Sequence, residues 1–296
     1  MKNTYIQLLR PEQWTKNLFV FLPAFFGKRI LDTAYLFPSL TAFIAFSLAS
    51  SGIYCLNDIL DANSDRKHKE KCKRPIASGG ISKQNALGIM LLCWIFAIGS
   101  IYWGCNEGNS RRQNAIAIIS LYIILNIAYC IKLKKHSIID VFTIATGFVL
   151  RLIIGGIVSK IELSHWIILM TFLLALFIAF AKRRDDVYTY ETSGTKLRDN
   201  VIHYNLAFMN QALCFVASIT IVCYIMYTVS EDVVNRIGKP YLYTTSIYVL
   251  AGMMRYLQIT IVEKKSGNPS KILITDRFIH ACILAWILTF AYFLYT

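Results

Sequence analysis

Charge is scarce in this sequence: 16% of its 296 residues are Asp, Glu, Lys or Arg, against about a quarter in an ordinary soluble domain. Disordered, collagen-like and coiled-coil classes are excluded by the same composition. The eight cysteines (55, 72, 93, 105, 130, 214, 223, 282) include no C-x-x-C pair and sit mostly inside apolar blocks, so neither a disulfide framework nor a zinc site is expected. Five dispersed histidines (68, 136, 165, 203, 280) match no ligand spacing. No G-x-x-x-x-G-K-[ST], H-E-x-x-H or G-x-S-x-G pattern occurs, and no internal repeat or low-complexity linker, so ATPase, hydrolase and solenoid readings lose their support. Residues 1–10 lack the apolar core and cleavage site of a removable signal peptide, and the first apolar span is expected to stay in place.

What is present is apolar chain, 56% of the residues, in long blocks broken by short charged stretches. Nine blocks fall near 13–26, 37–57, 85–105, 114–131, 138–158, 166–181, 207–229, 241–262 and 278–295, and a bilayer-spanning helix needs about 20 such residues. The expected class is all-α: a polytopic membrane protein, one transmembrane domain over 1–296, with loops near 58–84, 132–137, 182–206 and 263–277 on one side. Lys and Arg number 22 on that side and 7 on the other. The bias places the N-terminus and these loops in the cytoplasm and explains the net charge of +14 without nucleic acid. Twelve of the 17 acids lie on the same side, and topology alone needs only the bases. Carboxylates among lysines and arginines at a membrane surface suit a site for a cation plus phosphate, although solvated loops give similar counts.

The sharpest feature follows the second block: Asn57, Asp58, Asp61 and Asp65, then Arg66, a basic run containing Lys71, and Arg74-Pro75. If the helix outlasts the apolar block, Asp58, Asp61 and Asp65 stand at i, i+3 and i+7 on one face. Unpaired, they repel one another, and a divalent cation removes that cost. Magnesium is usually held by one or two carboxylates plus substrate phosphates. The alternative is a polar helix end whose acids pair with Arg66, Lys69 and Lys73. In the first span Arg10, Gln13 and Asn17 recur at helical spacing with Lys16 nearby, either facing the interior or snorkelling to the interface. Asp140 and Arg151 share a face of the fifth span over about 16 Å. Arg151 lies deeper and serves either structure or a lipid phosphate, as does Arg255 in the eighth span. Lys182, Arg183 and Arg184 either anchor the sixth span or grip phosphate, and the polar stretch 182–205 is expected to cap the site.

The pattern N-D-x-x-D-x-x-x-D followed by the basic run and R-P-I-A-S-G resembles the first aspartate-rich motif of the UbiA superfamily of intramembrane prenyltransferases. Within it the chain most resembles the polyprenyl-phosphate phosphoribosyltransferases of the decaprenyl-phosphate type, over nearly its whole length. The matching stretches are Arg10 to Asn17, residues 57–79, Tyr129 with Lys132 and Lys134, Asp140 with Gly147 to Arg151, Ala181 to Arg184, and Arg255-Tyr256. The resemblance implies a nine-helix bundle in a bacterial inner membrane, with a cavity open to the cytoplasm. It also implies Mg2+ on Asp58, Asp61 and Asp65, and transfer of phosphoribose from 5-phosphoribosyl 1-diphosphate to a polyprenyl phosphate. By the same resemblance Asn57, Arg66, Lys71 and Arg74 contact the donor's phosphates. Lys16, Lys132, Lys134, Lys182 and Arg183 serve the 5-phosphate or the lipid phosphate, and Asn17, Tyr129, Asp140 and Arg151 line the substrates. His68 is placed near phosphate without a role as base. A homo-oligomer stays open.

One departure bears on the choice within the superfamily. Ordinary members carry a second D-x-x-x-D after the sixth span, whereas this chain reads Lys182 to Glu191 there, with cations in place of the carboxylate spacing. Cations suit a phosphate-rich substrate pair. Two other readings stand beside it: a UbiA-type enzyme joining an isoprenoid diphosphate to an aromatic or other acceptor, and a transporter or scaffold, which more naturally shows matched broken spans.

Overall fold

The computed structural model describes residues 4–66, 71–105, 108–194, 198–264, 272 and 275–295. All the regular elements among the described residues are helices. A short α1 (Thr4–Leu9) leads into a 3-10 helix (Pro11–Phe21) and α2 (Leu22–Phe26). The long helices follow: α3 (Thr33–Asp65), α4 (Lys83–Gly104), α5 (Asn109–Ile131), α6 (Ile139–Ser159), α7 (His165–Ser193) and α8 (Leu206–Val229). The short α9 (Glu231–Ile237), α10 (Ser246–Ile261) and α11 (Arg277–Tyr295) complete the order. Seven of these, α3 to α8 and α11, are long and apolar enough to cross a membrane. The first and eighth expected spans take another form: each begins as a 3-10 helix, Pro11–Phe21 and Pro240–Thr245, and continues as an α-helix too short to span alone.

The chain divides into two compact units, residues 1–134 with 146–163, and residues 135–145 with 164–296. In the first, α3 is the centre. Its buried face is built of small residues, Ser39, Ala42, Ala45, Ser47, Ala49, Ser50, Ser51 and Gly52, which let neighbouring backbones approach closely where lipid supplies no hydrophobic drive. A Cβ on Gly52 would lie 2.3 Å from Trp94 Nε1, and that indole donates to the Ala49 carbonyl at 3.3 Å. Gly155 on α6 does the same against the 3-10 helix, where a Cβ would stand 2.2 Å from the Val20 carbonyl oxygen.

The 3-10 helix changes the register read from the sequence. Arg10 adopts a left-handed conformation with φ 51°, and beyond it Glu12, Thr15 and Leu18 are exposed while Asn17 and Val20 are buried. That repeat of three is the 3-10 period. Asn17 therefore lines up with Trp14 and Val20, and the expected α-helical stripe of Arg10, Gln13 and Asn17 does not form. Trp14 Nε1 donates to Ser51 Oγ at 3.0 Å, and Ser51 Oγ donates to the Leu9 carbonyl at 2.7 Å, tying the segment to α3.

In the second unit α7 packs along α8, and α10 lies against α8 and α11. Trp286 Nε1 donates to Tyr224 Oη at 2.6 Å, and Tyr224 Oη lies 2.7 Å from Thr245 Oγ1, which joins α8, the second 3-10 helix and α11. Two polar stretches read as loops are helical. α3 runs to Asp65, about 50 Å in all, and α7 runs to Ser193, ended by Gly194 at φ 66°. A helix satisfies its own backbone in water as in lipid, so its end need not coincide with the end of the apolar block. Arg255, expected inside a span, pairs with Asp276 at 2.8 Å and Glu263 at 2.8 Å, a structural latch between α10 and α11.

Candidate active site

The last two turns of α3 carry the aspartates as the spacing predicts, and the turn after them supplies their partners. Arg74 N donates to the Lys71 carbonyl, Ser78 N to Arg74 and Ile81 N to Pro75. Gly79 turns the chain at φ 81°, a conformation that strains other residues. The resulting tight loop folds Arg74 back onto α3, and Arg66 Nε donates to the Ala77 carbonyl at 3.2 Å to hold it there.

Arg74 Nη1 lies 2.8 Å from Asp65 Oδ2 and 3.2 Å from Asp58 Oδ1. Arg10 Nη2 approaches the same Asp58 oxygen at 2.5 Å while its guanidinium lies over the Tyr54 ring, 4.9 Å from the centroid. Asp61 is held apart from them by Lys134, with Nζ at 2.8 and 3.1 Å from its two oxygens and 3.4 Å from Asn57 Oδ1. The acids thus find Arg10, Arg74 and Lys134 rather than the local Arg66 and Lys73; Lys69 and His68 lie outside the described residues.

Among the described residues no three carboxylate, imidazole or thiol groups gather tightly enough to enclose a cation. The donor set is still suited to one. Asp58 Oδ2 is buried without a hydrogen-bond partner, a costly state for a carboxylate oxygen, and Asp65 stands beside it on a shared arginine. Two carboxylates, one of them with an orphaned oxygen, are what magnesium takes from protein when substrate phosphates complete its shell.

Deeper in the same unit, Arg151 donates from Nε to Asn17 Oδ1 at 2.7 Å, from Nη1 to the Gly147 carbonyl at 2.7 Å and from Nη2 to Tyr122 Oη at 3.0 Å. The rings of Phe46, Tyr122 and Phe148 surround it at 4.9–5.5 Å. Asn17 Nδ2 in turn donates to Ser47 Oγ at 3.0 Å. Two expected substrate contacts, Asn17 and Arg151, are therefore spent on each other and fasten the 3-10 helix to α3, α5 and α6.

In the second unit Asp140, fully buried, pairs with Arg183 Nε. Arg183 Nη1 continues to Asp186 Oδ2 at 2.6 Å, and Arg198 Nε meets that same oxygen at 3.2 Å. Beside them Tyr204 Oη accepts from Ile138 N; burial pushes its phenol up to about 12, and the nearby Asp140 carboxylate adds to the rise. Asp140 and Arg183 were expected to touch substrate, and the structure makes them the centre of a buried ion network. Of the remaining expected residues, Lys132 and Lys182 are exposed, Lys16 and Lys71 half-buried, and Tyr129 half-buried against the core cluster of the first unit.

Sequence reasoning missed Arg10 as the partner of Asp58, and missed Asp186, Arg198 and Tyr204. Arg10 heads the matching R-P-E-Q-W-T-K-N stretch, which was the available signal; the others lie next to the basic run at 182–184 without a spacing of their own.

Comparison with known proteins bears on all of this. The model of the UbiA prenyltransferase family matches residues 20–281. Decaprenyl-phosphate phosphoribosyltransferase of Mycolicibacterium smegmatis is 30% identical over 292 residues, covering 95% of this chain and 89% of that one. The protein of the same name from Corynebacterium glutamicum is 28% identical over 290 residues, covering 95% and 84%. Among solved structures, a UbiA homolog from Archaeoglobus fulgidus bound to GPP and Mg2+ superposes with a TM-score of 0.72 at 20% identity, covering 97% of this chain and 99% of that one.

Proposed function

The chain belongs to the UbiA prenyltransferase family, and from that membership we propose that it transfers the 5-phosphoribosyl group of 5-phosphoribosyl 1-diphosphate to a polyprenyl phosphate, releasing diphosphate. The observation that carries the choice of reaction is the likeness, over nearly the full chain, to two proteins named decaprenyl-phosphate phosphoribosyltransferase. The site supports it. Where ordinary members of the superfamily carry a second carboxylate pair, Asp186 is already neutralised by Arg183 and Arg198.

In this reading a phosphate oxygen of the lipid bonds to the anomeric carbon of the sugar as the bond from that carbon to the diphosphate oxygen breaks. The nucleophile is an anion at neutral pH, so no general base is required. Negative charge grows on the leaving diphosphate, and stabilising that charge is the protein's main electrostatic task. Arg10 and Arg74, freed from Asp58 and Asp65 when phosphate arrives, contact the diphosphate together with Asn57, Arg66 and Lys71. Asp58 and Asp65, with Asp61 at the edge of the group, would hold Mg2+, which when bound offsets leaving-group charge. Lys16, Lys132 and Lys134 serve the 5-phosphate and the lipid phosphate, with Tyr129 at the rim. Asn17, Arg151, Asp140 and Arg183 position the elements that carry these groups.

The seven long helices become nine crossings when 11–26 and 240–261 are added. A 3-10 helix rises about 2.0 Å per residue against 1.5 Å in an α-helix, so 11–26 reaches about 30 Å, the thickness of the hydrocarbon layer. The excess of Lys and Arg supports a cytoplasmic face for the aspartate-rich site, in the bacterial inner membrane that the family resemblance implies.

The test offers purified protein, in lipid with magnesium, either labelled 5-phosphoribosyl 1-diphosphate plus polyprenyl phosphate or an isoprenyl diphosphate plus an aromatic acceptor. Label from the first must enter the lipid phase. Consumption of the isoprenyl diphosphate with no lipid-soluble phosphoribose would replace this reading with prenyl transfer.

A further inference from the structure

The serines of α3 use their hydroxyls in different ways. Ser39, Ser50 and Ser64 each donate to a carbonyl of α3 itself, three or four residues back, the usual habit of a serine inside a helix. Ser51 does not. Fully buried, it accepts from Trp14 Nε1 at 3.0 Å and donates to the Leu9 carbonyl at 2.7 Å. An indole nitrogen can only donate, so Trp14 takes a lone pair of the hydroxyl and leaves its proton for Leu9.

Leu9 ends α1, and its carbonyl is among those with no partner inside that helix. Ser51 supplies the partner. The other end of the same peptide group is held as well, since Arg10 N donates to the Ile6 carbonyl at 3.2 Å. The plane between Leu9 and Arg10 is thus fixed at both ends, and it is from this plane that φ of Arg10 turns the side chain. That φ is 51°, in the left-handed region that is unfavourable for a residue with a Cβ. Released from the plane, the backbone would relax toward negative φ and swing the Arg10 side chain away from its present place.

That place is the aspartate-rich site. Ser51, Tyr54 and Asp58 stand at i, i+3 and i+7 on one face of α3. Ser51 holds the backbone before Arg10, the Tyr54 ring lies 4.9 Å under the guanidinium, and Asp58 Oδ1 meets Nη2 at 2.5 Å. Three points on one helix face therefore order a long side chain in advance, which spares the cost of ordering it when an anion binds.

We propose that Ser51 is a positioning residue for Arg10: its hydroxyl, oriented by Trp14, fixes the Leu9–Arg10 peptide so that the guanidinium waits beside Asp58 for the diphosphate. Ser51 itself touches no substrate. The pin acts through Arg10 and so rests on the reading that Arg10 meets the leaving diphosphate, whichever group is transferred from it.

Binding of magnesium diphosphate to the purified full chain in lipid nanodiscs is measured by calorimetry for wild type, Ser51→Ala, Arg10→Ala and the double variant. Arg10→Ala should weaken the probe about tenfold or more. Ser51→Ala should weaken it about threefold or more while Arg10 is present and change nothing once residue 10 is alanine, because a residue that acts only through another then has nothing to act on. A loss of packing alone would add to the Arg10 loss instead of vanishing into it. Should Ser51→Ala not fold, Trp14→Phe, which removes the indole N–H and keeps an aromatic ring, is put through the same cycle with the same requirement. Undiminished binding in the Ser51 variant, equal weakening with and without the arginine, normal binding by Arg10→Ala, or no binding by wild type overturns the pin. Wild-type turnover of 5-phosphoribosyl 1-diphosphate is measured alongside. Lipid-linked phosphoribose made by a protein whose cycle shows no coupling removes the pin and keeps the reaction; a coupled cycle with no such product keeps the pin and removes the reaction.

Discussion

Arg74 Nη1 sits 2.8 Å from Asp65 Oδ2, nine residues back along the chain, and the same nitrogen reaches Asp58. One cation thus bridges two carboxylates at the helix end, in the place where a substrate's phosphates and their metal would exchange with it. If Arg74 binds the donor as proposed, Arg74→Ala removes a charge-assisted contact of about 1.5–3 kcal/mol, and the KM for the sugar diphosphate should rise on the order of 10- to 100-fold. Steady-state kinetics at saturating lipid phosphate check this; an unchanged KM would remove Arg74 from the donor site.

Breaking the ion network of the second unit should cost stability before it costs chemistry. Arg183→Met leaves Asp140 buried without its cation and Asp186 with Arg198 alone, and uncompensated buried charge destabilises by about 3–5 kcal/mol. The combined change Arg183→Met, Asp140→Leu should recover part of the loss. Thermal unfolding in micelles, followed by fluorescence, separates the three proteins.

Gly155 and Gly88 form a matched pair on long helices. A Cβ at 155 meets the Val20 backbone at 2.2 Å, whereas at 88 nothing lies within 4 Å. Gly155→Ala should cost about 1–3 kcal/mol by forcing α6 off the 3-10 helix, and Gly88→Ala should be neutral or slightly stabilising. Denaturation midpoints of the two variants give the comparison.

The latch at Asp276 predicts a pH dependence. The hydrogen bond from Arg255 holds the Asp276 carboxyl below the usual carboxylate range. A depressed folded value contributes stability that is present above the unfolded pKa, about 3.9, and is lost as pH falls through the folded value. The apparent Tm of wild type should exceed that of Asp276→Asn near neutral pH, and the gap should close once the pH falls below the carboxylate range. A gap that persists or widens in acid would contradict the assignment.

The aspartate stripe was legible because α-helical spacing and charge need no tertiary information: Asp58, Asp61 and Asp65 sit on one helix as their spacing requires. Their partners were not, because Arg10 and Lys134 lie 48 and 73 residues away and only folding brings them in. The first span was misread in register, since Pro11 to Phe21 carries an apolar content compatible with either helix, and the choice of 3-10 is fixed by contacts such as Trp14 to Ser51 and Arg151 to Asn17. Arg183 and Arg184 are adjacent and chemically identical in sequence. Their different fates depend on which side of α7 faces Asp140 and which faces Asn210.

The most direct measurement places the label on the donor's 5-phosphate and follows it into the lipid phase with wild type and with Asp58→Asn at saturating magnesium. Wild type should transfer label to the polyprenyl phosphate, and Asp58→Asn should lose that transfer by at least about 100-fold with its unfolding midpoint retained. Near-normal transfer by the folded Asp58→Asn protein, or none by wild type, would contradict the account.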